Sequence, residues 1–125
     1  MNTQDLAAIA EAYFSGLRSK DMSRVPWHDD VVFRGPLAPG YPEPIQGRRA
    51  VESWFAGLYP VLGEVRVIEH YVNVEQTEIV TRAEVSITDP KGVLRVLDRF
   101  VVDSDGNIRE QENYYDPRPA LPKNT

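Results

Sequence analysis

Two turn signals cut the second half of the chain into strand-length pieces, and they constrain its fold more than any other feature. D89-P-K-G92 and D103-S-D-G-N107 separate the strand-length runs 78–88, 93–102 and 108–116. Turn residues at such spacing join antiparallel neighbours. A further run of the same kind, 65–74, precedes them. The first half differs. Over residues 3–20, Leu6, Ile9, Ala10, Tyr13, Phe14 and Leu17 recur every three or four positions, one stripe of an amphipathic helix starting near Thr3. Residues 22–27 read as a short helical turn broken at Pro26, and 31–33 as a short strand. A second helix over 47–59 puts Val51, Trp54, Phe55 and Leu58 on one face and stops at Pro60.

Between strand and second helix, residues 35–44 hold four prolines in ten positions, which excludes helix and central strand. This is a stiff loop, with Leu37 and Tyr41 placed to fold over a neighbouring opening. The tail from residue 117 reads as irregular. Helices first and a meander afterwards predict one α+β domain over residues 1–125, with helices on one face of the sheet.

Composition narrows the function classes. A net charge of −5 disfavours nucleic acid and anionic membrane as partners. With no cysteine there is no disulfide framework and no thiolate chemistry, and two histidines would need clustered carboxylates to hold a metal. No HExxH, P-loop or glycine-rich dinucleotide motif is present. The opening M1-N-T-Q-D5 lacks the basic-then-apolar order of a signal peptide, and no apolar run approaches the roughly 20 residues that span a bilayer. A cofactor-free, cytoplasmic protein is the expectation.

Residues 93–102 carry an anomaly. Asp98 sits in an apolar row with Leu94, Val96, Phe100 and Val102. Pairing Thr88 with Val93 sets Ala83 opposite Asp98 and turns Arg82, Glu84, Arg95 and Arg99 to the other face, a charged outer or subunit-facing surface. A carboxyl group on an apolar face is either satisfied by a tyrosine or backbone amides, or has a raised pKa and donates a hydrogen bond to a ligand. Tyr13, on the stripe of the first helix, can aim its hydroxyl inward. One of Tyr114 and Tyr115 faces inside, and a bulge near Asp105-Gly106 would exchange them. His70, sharing a face with Arg66, Ile68 and Val72, is the general-base candidate of the second half. His28 reads as a loop residue.

A family resemblance lies in the order of several short motifs: Ala12-Tyr13-Phe14, Asp29 to Phe33, Gly35-Pro36, Ile45 to Val51, Asp98-Arg99-Phe100, Asp105 to Ile108 and Tyr114-Tyr115-Asp116-Pro117. This order resembles the nuclear transport factor 2-like superfamily, most closely its SnoaL-like group of polyketide cyclases and relatives. The resemblance implies a barrel-like cone of strongly curved antiparallel sheet closed by helices, a deep apolar pocket, and homodimers through the sheet. Asp98 and Tyr13 are similar in position to the neutral aspartic acid and tyrosine of ketosteroid isomerase, the known case of such an oxyanion pair. The carboxylate base of that enzyme would fall near Gly35, where no side chain takes a proton. Asp116 resembles the acid/base aspartate of SnoaL-like cyclases. R82-A-E84 with Asp116 resembles the Arg, carboxylate and aspartate of limonene-epoxide-hydrolase-like enzymes, with Glu in place of Asp.

Together these imply a cofactor-independent acid–base enzyme, of isomerase, cyclase or dehydratase type, for a small hydrophobic oxygenated substrate such as a polyketide, terpenoid or steroid-like molecule. Asp98, Tyr13, Asp116 and His70 would be catalytic, and Tyr114, Phe100, Trp54, Phe33, Leu37 and Tyr41 would hold the substrate. The alternatives are a non-catalytic ligand-binding or dimerisation module, and an epoxide hydrolase using Arg82, Glu84 and Asp116.

Overall fold

The computed structural model describes residues 1–89 and 91–122. Helix α1 (Thr3–Ser19) starts at a capping box: the Asn2 side chain accepts from the Asp5 amide at 2.8 Å, and Asp5 accepts from the Asn2 amide at 3.0 Å. It ends at Lys20, whose φ of 56° is left-handed. Its inward stripe, Leu6, Ala10, Tyr13, Phe14 and Leu17, is buried as the spacing predicts. Residues 22–25 form a single turn, closed by the Val25 amide on the Met22 carbonyl at 3.2 Å, and strand β1 (Trp27–Arg34) is longer than expected at its N-terminal end. The proline loop delivers the chain to a two-residue strand, β2 (Ile45–Gln46), which sequence reading missed. Helix α2 (Arg48–Leu58) buries Val51 and Phe55 and passes into a 3-10 turn over Tyr59–Val61 at Pro60.

Strands β3 (Leu62–Val72), β4 (Glu78–Thr88), β5 (Lys91–Val102) and β6 (Ile108–Tyr114) follow. The sheet order is β2-β1-β6-β5-β4-β3. The expected antiparallel meander accounts for β3 to β6; β1, however, joins β6 in parallel. The sheet is curved, with register shifts in the β1–β6, β3–β4 and β5–β6 pairs, but it is open: β2 and β3 remain as edges, so it is not a closed barrel. α1 packs on β3 and β4, and α2 on β1.

Two expectations about register need correction. β4 and β5 pair from Thr88 with Lys91, not with Val93, so Thr81 rather than Ala83 lies opposite Asp98. The tighter connection shifts the pairing by two residues, which preserves every side chain's face. Within D89-P-K-G92, Pro90 lies outside the described residues. In β3 an extra residue enters between Val67 and Glu69, which pair with the adjacent Ala83 and Arg82. That bulge at Ile68 breaks the alternation. Val65, Val67, His70 and Val72 are at least half covered while Arg66, Ile68 and Tyr71 are exposed, so His70 turns to the helix side, away from Arg66 and Ile68. Of the tail, Arg118–Ala120 make one 3-10 turn, and residues 123–125 lie outside the described part. Among the described residues no helix is long and apolar enough to cross a membrane.

Candidate active site

The corrected register aligns four polar residues directly across four strands: His70 with Thr81, Thr81 with Asp98, and Asp98 with Asn113. This rung lies on the face covered by α1, and α1 meets both of its ends. Glu11 Oε1 is 3.0 Å from His70 Nε2. At the other end the Asn113 amide donates to the Tyr13 hydroxyl at 3.4 Å. Between them His70 Nδ1 lies 2.8 Å from Thr81 Oγ1. Thr81 and Asp98 are buried, at 0% and 1% exposure, so the centre of the rung is dry. One step along β6, Gln111 Oε1 accepts from the Trp27 indole at 2.8 Å.

Hydrogen bonding is incomplete at this centre. Asp98 Oδ1, Asn113 Oδ1 and Gln111 Nε2 are buried without partners among the described residues. Each such atom costs about 1–3 kcal/mol if it stays unpaired. Asp98 and Asn113 are paired neighbours, and what both orphaned oxygens lack is a donor. Burial, with no compensating cation, pushes the Asp98 carboxyl well above the usual carboxylate range. A retained proton supplies the donor that the neighbourhood lacks. Burial also raises Tyr13, and the Asp98 charge adds to this, marking the two as electrostatic neighbours. Tyr115 is pushed up to about 12 by burial and then by Asp98, against the opposing pull of a backbone hydrogen bond at Leu37. Burial thus favours the neutral form of Asp98 and the protonated forms of the two tyrosines near it.

The other sequence candidates separate into three groups. Phe33 and Phe100 are core side chains, in an aromatic cluster where Tyr13 meets Phe100 and Phe55 at centroid distances of 5.4 and 5.6 Å and Phe33 meets Phe55 at 5.1 Å. This cluster occupies the interior in which the resemblance implies a pocket. Trp54 and Leu37 are half-buried at its margin, and Tyr41 is exposed. Tyr114 points outward, so Tyr115 is the tyrosine that faces Asp98. Arg82, Glu84 and Asp116 line a cleft of about 520 Å³ with Arg95 and Leu97, on the face away from the helices. There Glu84 accepts from Arg66 at 2.6 Å, and Asp116 is held by Arg118 at 2.6 Å, which lowers its pKa. Asp116 is thus parted from Asp98 by the sheet itself.

Sequence reading missed Glu11, Thr81, Gln111 and Asn113 as members of the site, and left open which of Tyr114 and Tyr115 faces it. The signal was present in two of them: a period-two reading of Q111-E-N113 puts both amides on the inward row. Among the described residues no three histidine or acidic side chains converge as a metal site would require.

Residues 10–111 match the SnoaL-like domain family, which is well over half of the chain. The chain belongs to the SnoaL-like family. Solved structures show how widely this fold is used. A steroid delta-isomerase from Pseudomonas aeruginosa superposes with a TM-score of 0.72 at 22% identity, covering 90% of this chain and 80% of that one. A limonene-epoxide-hydrolase-like epoxide hydrolase from M. tuberculosis gives 0.74 at 20% identity, with 94% and 86% covered. A computationally designed 17-OHP binder gives 0.77 at 16% identity, with 90% and 94% covered. At such identities the likeness shows the fold alone. No curated protein matches this SnoaL-like sequence.

Proposed function

We propose that this SnoaL-like chain is a cofactor-independent acid–base enzyme for small hydrophobic oxygenated molecules, in which neutral Asp98 and the Tyr13 hydroxyl stabilise an enolate-type oxygen. The observation that carries this reading is the buried Asp98 carboxyl beside a second orphaned acceptor, with Tyr13 as its electrostatic neighbour. A charge that develops on a substrate oxygen at this point meets two preorganised donors in a dry surrounding, where hydrogen bonds to charge are strongest. Asn113 orients the Tyr13 hydroxyl from β6. The substrate enters by displacing packing at the margin of the aromatic cluster, where Leu37 and the proline loop lie against Tyr115. Isomerisation, cyclisation and dehydration beside a carbonyl share the development of negative charge on the carbonyl oxygen, and the site is suited to stabilising that charge.

The test follows α-proton exchange in D2O by NMR for a panel of ketones and β-dicarbonyl compounds. The wild type accelerates exchange for at least one, and Asp98→Asn lowers the rate by about 100- to 1000-fold, the effect of removing one oxyanion donor. Equal rates in wild type and Asp98→Asn would sink the reading. A chain that binds such compounds without exchanging their protons is instead a ligand-binding module.

One observation favours a second reading: Arg82, Glu84 and Asp116, which resemble an epoxide-hydrolase set, line one cleft. Glu84→Gln abolishes turnover of an epoxide in that case and leaves proton exchange intact. The partner we propose for the outer face is a second copy of the chain. Ile68, Tyr71, Val93, Leu97 and Tyr114 are 38–48% exposed there. They are interspersed with Arg66, Arg82 and Arg95 and with Glu69, Glu84 and Asp116, whose opposite charges a two-fold axis would pair.

A further inference from the structure

The polar rung contains more machinery than the Asp98–Tyr13 pair uses. An ionised Glu11 only accepts hydrogen bonds, so His70 Nε2, 3.0 Å from it, carries a proton. Nδ1 then has two relations with the Thr81 hydroxyl at 2.8 Å. On a neutral imidazole Nδ1 accepts, and the Thr81 proton points to His70. On an imidazolium Nδ1 donates, and the Thr81 proton is free to turn elsewhere. The other paired neighbour of Thr81 is Asp98, whose Oδ1 has no partner. Paired residues of an antiparallel ladder have Cβ atoms about 4.5–5.5 Å apart, within reach of a rotated hydroxyl and carboxyl.

We propose that Thr81 is a two-way hydroxyl through which His70 stores the proton of Asp98. The inference rests on the reading of Asp98 as a working acid, and makes His70 and Thr81 relay and positioning residues rather than groups that touch substrate. In one arrangement the Asp98 O–H donates to Thr81 Oγ, the Thr81 O–H to His70 Nδ1, and Nε2–H to Glu11. Moving two protons one step each gives an Asp98 carboxylate that accepts from Thr81, and an imidazolium between Thr81 and Glu11. Asp98 loses one proton, His70 gains one, and Thr81 exchanges one for another, so the balance closes without any outside reactant. The groups that face His70 set its preference. From α1 these are the Glu11 carboxylate and, 3.9 Å from Glu11, the Arg18 guanidinium. From β4 only the neutral Thr81 hydroxyl faces it, with Asp98 beyond; on β3, Glu69 and Tyr71 bond to each other on the exposed side. The Glu11 side chain is 45% exposed, so protons reach the buried acid from this end.

The experiment is an NMR pH titration of the His70 ring nitrogens and the Asp98 carboxyl carbon, independent of any activity. The two titrate as a coupled pair, each curve with a second inflection at the midpoint of the other. Thr81→Val, which keeps the shape and removes the hydroxyl, abolishes the second inflection; Thr81→Ser retains it. Persistence of the coupling in Thr81→Val, or a single-step Asp98 curve in the wild type, overturns the relay. If Thr81→Val does not fold, Glu11→Gln reads the same chain from its exposed end. Removing that anion moves the second Asp98 inflection to lower pH, and an unchanged Asp98 curve overturns the proposal. Coupling without Asp98-dependent proton exchange refutes the enzymatic reading alone, and exchange without coupling refutes the relay alone.

Discussion

Asp98 is the residue on which most of the site's energetics turn. An acid whose folded pKa is raised holds its proton after the unfolded chain has released it. Its stabilising contribution is complete below the unfolded carboxylate pKa of about 4 and declines as pH rises from there to the folded value. Asp98→Asn cancels that decline and gives the orphaned Asn113 oxygen a permanent donor. The variant is therefore expected to be more stable than wild type at neutral pH, by about 1–3 kcal/mol, with the gap closing in acid. Thermal unfolding of both proteins over a pH series checks this; a gap that widens in acid contradicts a protonated Asp98. The stabilising change is the one expected to remove activity, as is common where a site holds a strained or under-satisfied group.

Among the elements, β3 decides whether the rung exists. The extra residue at Ile68 turns His70 toward α1, and a regular strand would turn it outward. Deleting Ile68 should restore the alternation, break the bonds of His70 to Glu11 and Thr81, and lower stability by about 1–3 kcal/mol through two or three lost or orphaned polar contacts. Retention of the wild-type His70 titration curve in the deletion variant would contradict this geometry. Nothing in V65-R-V-I-E-H-Y-V72 announces the bulge, because either alternation buries β-branched residues, and so sequence put His70 on the wrong row. The inward face of β5 was legible for the opposite reason. Its Leu, Val, Phe and Val alternate without conflict, and the two-residue register error could not move Asp98 to the other face. Asp116 was attractive by resemblance alone. Only the path of β6, with Tyr115 inward and Tyr114 and Asp116 outward, shows that the sheet separates it from Asp98.

At the scale of the whole molecule, the outer face carries apolar side chains among charges that are individually weak. An exposed Arg–Glu pair contributes about 0–1 kcal/mol, so the apolar residues, not the ion pairs, would hold a second copy. Leu97→Glu, at the centre of the face, is expected to convert a dimer to a monomer in sedimentation or light-scattering measurements while the thermal midpoint of the fold stays close to wild type. A monomeric wild type at high micromolar concentration would exclude this interface.

The bulge at Ile68 has a consequence outside the site. β3 is eleven residues long and lies at the border of the sheet, with one row of backbone amides and carbonyls unpaired by any strand. A straight, β-branched border of that length is a template on which another chain can crystallise its own strand. The inserted residue throws the spacing of that row out of step, and Glu64, Arg66 and Glu69 stand charged along it. The irregularity that turns an imidazole to the buried rung therefore also disfavours the addition of a neighbouring strand, and deleting Ile68 is expected to raise aggregation as it breaks the His70 contacts.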